Sequence, residues 1–285
     1  MSRQRVLISD YSWPDVEIER EVLARAGVEL VVAPADDRET LRCLAASVDA
    51  IMTCWAPIPA EVIEAVENCR VVARLGIGLD NIDVEFCTRR GIPVTNVPDY
   101  CQLEVAEHTL ALLLALARNI GIFHQDARNG VYARDHGPPL RRLAGRTLGL
   151  VGLGRIGHAV AERASALGLK VGATRRDLSR PAGTIPLLPL SELLERRDFV
   201  SLHLPLNDEN VGMIGAAELA MMKPGSFLIN TARGGLIDSQ ALSVALDSGQ
   251  LAGAALDVQD PEPPPLDAPP YNHPHVIVTP HAAFV

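Results

Sequence analysis

Leu148-Gly149-Leu150-Val151-Gly152-Leu153-Gly154-Arg155-Ile156-Gly157 is a short apolar run that ends in Gly-x-Gly-x-x-Gly. A helix-forming segment follows from Ala159 to Leu167, and Leu169-Lys170-Val171 begins another strand. In this strand–turn–helix–strand setting each glycine has a steric task. Gly152 permits the tight turn, Gly154 lets a pyrophosphate approach the backbone, and Gly157 lets the helix pack on the strand. Arg155 and Ile156 open the helix, whose N-terminal amides bind phosphate oxygens. The stretch reads as the start of a dinucleotide-binding domain.

The ribose of such a nucleotide is read at the end of the second strand. Eighteen residues past Gly157, that position holds Arg175 and then Arg176. Paired guanidiniums bind a 2′-phosphate, where a carboxylate would repel it. NADP is therefore the favoured cofactor and NAD the second. Asp177 supports the NAD reading if the turn is a residue or two longer. Two solvated surface arginines are the remaining alternative.

The same alternation extends in both directions from this motif. Before it, Val6-Leu7-Ile8, Val28 to Val32, Ala50-Ile51-Met52, Val71-Val72-Ala73 and Pro93-Val94 read as strands. Helical segments such as Pro14 to Ala26 and Pro59 to Asn68 separate them. A second series runs from Thr147 to Val278. The fold class is α/β, with two Rossmann-like or flavodoxin-like parallel-sheet domains and a cleft between them. One long helix is expected from Cys101 to Asn129, with its dense apolar run Ala111 to Ala117 buried between the domains. Gly130 to Pro139 reads as a loop. The proline-rich stretch Pro261 to Pro274 reads as a stiff surface loop delivering the strand Val276-Ile277-Val278.

The chain has 285 residues, 48% of them hydrophobic and 21% charged, which suits two globular domains and excludes a disordered or collagen-like chain. Acidic residues outnumber basic ones by 35 to 26, so neither nucleic acid nor a membrane surface is expected as a partner. Leu110 to Ala117, the longest apolar stretch, falls short of the roughly 20 residues a membrane span needs. The run after Met1-Ser2-Arg3-Gln4-Arg5 is too short for a signal peptide. Cys43, Cys54, Cys69, Cys87 and Cys101 are scattered without a C-x-x-C pair, so no disulfide framework and no metal site is expected. These features suggest a cytoplasmic protein.

Three later segments carry chemistry. Asn230-Thr231-Ala232-Arg233-Gly234-Gly235 follows the strand Ser226 to Ile229, and Asp257-Val258-Gln259-Asp260-Pro261-Glu262 follows the strand Gly253 to Leu256. Thr279-Pro280-His281-Ala282-Ala283 follows a third strand. Arg233, Glu262 and His281 thus lie just past the ends of parallel strands, the edge where open α/β sheets bind ligands.

These segments resemble the D-isomer-specific 2-hydroxyacid dehydrogenase family. Arg74-Leu75-Gly76-Ile77-Gly78-Leu79-Asp80-Asn81-Ile82-Asp83 is similar to its substrate loop. Gly91 to Pro98 and Val105-Ala106-Glu107-His108-Thr109 are similar to its interdomain segments. The resemblance implies a substrate domain over 1–99 and a dinucleotide domain over 100–280, with 281–285 starting a return to the first. It implies hydride transfer between a nicotinamide and a small 2-oxo or 2-hydroxy acid, mainly in the reductive direction. His281 would protonate the carbonyl oxygen. Glu262 would favour the charged ring and orient it. Arg233 would grip the carboxylate with the backbone amides of Leu75, Gly76, Ile77 and Gly78.

Further cofactor contacts implied by the family are Thr231 and Ala232, Asp257 on the nicotinamide carboxamide, and His203 with Pro205 on the adenine-side ribose. His203 is otherwise a satisfied strand-end histidine. A homodimer through 101–129 is implied, the alternative being that this region is only a hinge. Family members usually continue past the position of Val285 with a helix that completes the first domain. Phosphite oxidation and a nucleotide-sensing role like that of the C-terminal-binding corepressors, which Thr279 to Ala283 also resembles, are the other functions kept open.

Overall fold

The computed structural model describes residues 3–285. The chain forms two compact units, one ending at Tyr100 and one beginning at Cys101. In the first, strands β1 (Arg5–Ile8), β2 (Glu29–Val32), β3 (Ala50–Thr53), β4 (Val71–Arg74) and β5 (Val94–Thr95) alternate with helices α1 (Glu17–Arg25), α2 (Arg38–Ala45), α3 (Ala60–Glu64) and α4 (Val84–Arg90). The strands form one parallel sheet in the order β2-β1-β3-β4-β5. Leu7 and Ile8 are both fully buried, in separate apolar clusters. Successive strand residues point to opposite faces, so a parallel sheet clothed on both sides needs such unbroken apolar runs.

The second unit begins with α5 (Gln102–Ala117) and α6 (Ile120–Arg128). Then come β6 (Thr147–Val151), α7 (Arg155–Ala166), β7 (Lys170–Thr174), α8 (Leu190–Arg196), β8 (Phe199–Leu202) and α9 (Ala216–Met221). The chain continues through β9 (Ser226–Asn230), α10 (Ser239–Asp247), β10 (Leu251–Leu256) and β11 (Val276–Val278). All six strands are parallel, in the order β11-β10-β9-β8-β6-β7. Alternation again sorts the core. Leu148, Leu150, Phe199, Phe227 and Ile229 enter one cluster, and Val151, Val200, Leu202, Leu228 and Leu256 enter the other. Phe199 and Phe227 stack with centroids 5.3 Å apart.

The long helix expected over 101–129 is two helices, which diverge by 65°. The break is Asn119, at φ 52°. Asparagine is one of the few non-glycine residues that adopt this left-handed conformation. Its Nδ2 donates to the carbonyls of His136 (3.3 Å) and Pro138 (2.8 Å), so the following loop fixes the break. α5 buries Ala106, Leu110, Leu113 and Leu116 in the core of its own unit, alongside Val160 and Ala164 of α7. No single helix among the described residues is long and apolar enough to cross a membrane.

Candidate active site

Because every strand of the second sheet runs the same way, their C-terminal ends share one edge. The glycine turn follows β6, Arg175 and Arg176 follow β7, and His203 follows β8. Arg233 follows β9, Asp257 to Glu262 follow β10, and His281 follows β11. β6 carries β7 on one side and β8 on the other, which makes this the switch point of the sheet.

Steric contacts explain two of the glycines. Gly152 has φ 101°, and a Cβ there would lie 2.2 Å from the His203 carbonyl oxygen. At Gly157 a Cβ would meet the Gly152 carbonyl oxygen at 2.6 Å. Gly154 differs, since a Cβ there would meet no protein atom within 4 Å. It caps α7 without a side-chain hydrogen bond, so no capping side chain stands in front of that helix N-terminus. Protein packing therefore demands glycine at Gly152 and Gly157, and space for a ligand accounts for it at Gly154. The cradle fits a dinucleotide pyrophosphate.

At the other end of the edge, His281 Nδ1 lies 2.8 Å from Glu262 Oε2. Glu262 Oε1 accepts the Gln259 amide at 2.8 Å. Burial pushes the Glu262 carboxyl up, but the hydrogen bonds from His281 and Gln259 and the charges of His281 and Arg233 outweigh it. The net effect holds it below the ordinary carboxylate range. An ionised Glu262 accepts only, so Nδ1–H is the donor. Arg233 leaves β9 through a turn braced by Asn230, whose Nδ2 donates to the Arg233 carbonyl (2.8 Å) and whose Oδ1 accepts the Ala232 amide (3.0 Å). Arg233 Nη1 donates to the Ala232 carbonyl at 2.7 Å. A Cβ at Gly234 would sit 2.0 Å from the Gln259 carbonyl carbon, so this turn packs directly on the loop that holds Glu262.

Asp257 is fully buried, and its carboxylate holds the segment that presents His281. Oδ1 accepts the Thr279 hydroxyl (2.6 Å) and the Ala282 amide (2.9 Å), and Oδ2 accepts the Ala283 amide (3.0 Å). His108 Nε2 completes the cluster, 3.1 Å from Thr279 Oγ1 and 3.4 Å from Asp257 Oδ1. Thr231 is also buried, with Oγ1 2.9 Å from Thr109 Oγ1.

The adenosine-side residues are arranged differently from one another. His203 is partly buried beneath the glycine turn, with Nε2 2.9 Å from Ser201 Oγ. Burial pushes its imidazole down to about 4, so the ring is neutral at pH 7. Pro205 is exposed, its carbonyl accepting from Asn210 Nδ2 at 2.7 Å. Arg175 is folded into its own loop, donating from Nε to the Asp177 carbonyl (3.0 Å) and from Nη2 to that of Pro181 (3.1 Å). Arg176 instead pairs with Glu209 at 2.6 Å.

Leu75 to Gly78 belong to the first unit, directly after β4. The Asn96 side chain donates to the Ile77 carbonyl (2.8 Å), and the Val97 amide donates to that of Gly76 (3.0 Å). Arg74, which opens the stretch similar to the substrate loop, was given no role from the sequence. It is buried, its guanidinium lies over the Trp55 ring at 5.4 Å, and its Nε and Nη1 make no protein hydrogen bond. A Cβ on Gly76 would lie 2.5 Å from Arg74 Nη1, so the loop passes across that guanidinium. Its charge at the end of an otherwise apolar strand is the signal that marks it.

Residues 110–283 match the model of the D-isomer specific 2-hydroxyacid dehydrogenase NAD binding domain. A glyoxylate reductase from Korarchaeum cryptofilum is 43% identical over 234 residues, covering 80% of this chain and 70% of that protein. The chain belongs to the D-isomer-specific 2-hydroxyacid dehydrogenase family. It is thus an oxidoreductase chain with a nicotinamide-dinucleotide domain.

A D-3-phosphoglycerate dehydrogenase from Archaeoglobus fulgidus is 35% identical over 98% of this chain, which spans 53% of that relative's length. Among solved structures, an NADPH-dependent glyoxylate/hydroxypyruvate reductase from Sinorhizobium meliloti, in complex with NADP and malonate, superposes with a TM-score of 0.85. It is 31% identical, covering all of this chain and 88% of that one.

Proposed function

We propose that this dehydrogenase reduces a small 2-oxo acid to the D-2-hydroxy acid, using NADPH in preference to NADH. The observation that carries the reading is the 2.8 Å His281–Glu262 pair, on the same sheet edge as the glycine cradle. A bound nicotinamide supplies the hydride. With Nδ1 held by Glu262, His281 delivers its proton from Nε2 to the carbonyl oxygen as the carbonyl carbon takes the hydride. Arg233 binds the substrate carboxylate and polarises the carbonyl. In the first unit, the backbone amides of Leu75 to Gly78 bind a substrate carboxylate, and the buried Arg74 Nε and Nη1, which make no protein hydrogen bond, support an anion there. Asp257 acts on the nicotinamide end chiefly by fixing the His281 turn. Thr231, Ala232, His203 and Pro205 line the nucleotide.

The S. meliloti reductase with its bound NADP supports the NADPH preference, as do Arg175 and Arg176. The reductases among the relatives support a substrate of glyoxylate size. Exposed Leu103 on α5 and Ile120 on α6 support a homodimer through this region. All five cysteines are free thiols, which suits the reducing cytoplasm. The test follows NADPH and NADH absorbance with glyoxylate, hydroxypyruvate, pyruvate and phenylpyruvate, and follows NADP reduction by phosphite. Oxidation of NADPH by a 2-oxo acid is expected. Turnover with phosphite alone, or nucleotide binding without turnover, would overturn the reading.

A further inference from the structure

Two loops flank the adenosine end of the nucleotide edge. One follows β7 and carries Arg175 and Arg176, and the other follows β8 and runs through Asn210. β6 and its glycine turn lie between these two strands. The Arg176–Glu209 ion pair joins the two loops, Nη2 to Oε2, at 2.6 Å. Glu209 is placed by its own loop. Its amide donates to Asn207 Oδ1 (3.0 Å), the Asn207 amide donates to Asn210 Oδ1 (2.8 Å), and Asn210 Nδ2 donates to the Pro205 carbonyl (2.7 Å). Arg175 is meanwhile engaged with two carbonyls of its own segment. Arg176 is therefore the guanidinium whose partner a 2′-phosphate would displace.

We propose that Glu209 is a specificity-determining residue, competing with the cofactor's 2′-phosphate for Arg176 and so moderating the preference for NADPH. The proposal rests on the reading that these arginines receive the 2′-phosphate. A carboxylate at hydrogen-bond distance from Arg176 satisfies the same donors that a phosphate would use. The carboxylate also repels a phosphate brought to the same place. NADH carries no such group, so the Arg176–Glu209 pair persists when NADH binds. Both partners are largely exposed, at 82% and 75%, so the pair is weak enough for a phosphate to displace.

The experiment measures the Kd of NADPH and of NADH by calorimetry on the full chain. The variants are Glu209→Gln, Arg175→Ala, Arg176→Ala and the Glu209→Gln/Arg176→Ala double variant. Glu209→Gln is expected to tighten NADPH by about two- to fivefold, the range an exposed ion pair covers. NADH should change by less than NADPH does. In the Arg176→Ala background, which itself weakens NADPH about tenfold or more, the gain from Glu209→Gln should shrink. If Arg176→Ala weakens NADPH but Glu209→Gln leaves it unchanged or weaker, the role of Glu209 is overturned while the cofactor reading stands. If Arg175→Ala and Arg176→Ala both leave NADPH affinity unchanged, the cofactor reading fails and the proposal fails with it.

Discussion

The His281 amide donates to the carbonyls of Asp257 (2.7 Å) and Thr279 (3.0 Å), and φ of 51° turns the ring back towards Glu262. This conformation costs energy in a non-glycine residue, and strain of this kind persists only where the surroundings over-determine it. Here the Asp257 carboxylate, bound to the next two amides, does so. Glu262→Gln keeps the shape of the pair and removes its charge. Reduction draws a proton from the ring, and the variant lacks the carboxylate that offsets positive charge there, so its kcat/KM at pH 7 should be lower. The loss is about tenfold if the charge is worth about 1.4 kcal/mol. Steady-state rates of the two proteins at pH 7 check this, and equal kcat/KM values would show that Glu262 only orients the ring. The Arg–Glu–His set was legible because each residue sits a few positions past an apolar strand. The work of Asp257 was not, because the left-handed turn from Thr279 to Ala283 has no glycine to announce it. Arg176 and Glu209 are 33 residues apart and meet only because β7 and β8 both flank β6.

The turn between β6 and α7 separates folding from binding. Gly152→Ala forces a side chain into φ 101° and against the His203 carbonyl, so the turn must move. Backbone strain alone costs about 1–3 kcal/mol, and the expected outcome is a lower Tm together with at least tenfold weaker NADPH binding. Gly154→Ala meets open space, and Gly154 has an extended backbone that alanine adopts (φ −87°, ψ −161°). It should leave Tm nearly unchanged and still weaken NADPH, since its methyl group takes the place of the pyrophosphate. Thermal melts beside nucleotide titrations distinguish the two, and equal effects in both variants would contradict the cradle. This element was legible to within a few residues, because local sterics dictate it. The break between α5 and α6 was not. Neither glycine nor proline marks Asn119, and the bonds that hold it reach forward to His136 and Pro138.

In the second unit, parallel topology gathers the chemistry on one edge of the sheet and leaves the opposite edge to hold the sheet together. Asp198, just before β8, is buried there, accepting from Lys223 Nζ (2.7 Å), Arg146 Nη2 (2.9 Å) and the Thr147 amide (2.9 Å). Burial pushes its carboxyl up, but the Lys223 and Thr147 hydrogen bonds and the Arg146 charge bring it below the usual range. Its stabilisation is thus complete above the unfolded value of about 3.9 and is lost as pH falls through the lower folded value. Asp198→Asn should cost about 1.5–3 kcal/mol at pH 7 by denaturant titration, with the gap to wild type closing in acid. A gap that did not depend on pH would show that the charge is not what holds this edge.

The account stands or falls on proton delivery by His281. The decisive measurement is NADPH-dependent reduction of a 2-oxo acid such as glyoxylate by wild type and His281→Ala, from pH 5 to pH 9, with NADPH Kd measured alongside. The account predicts a loss of about 10²- to 10⁴-fold in the rate, with nucleotide affinity retained. Near-wild-type reduction by a folded, nucleotide-binding His281→Ala protein would contradict it.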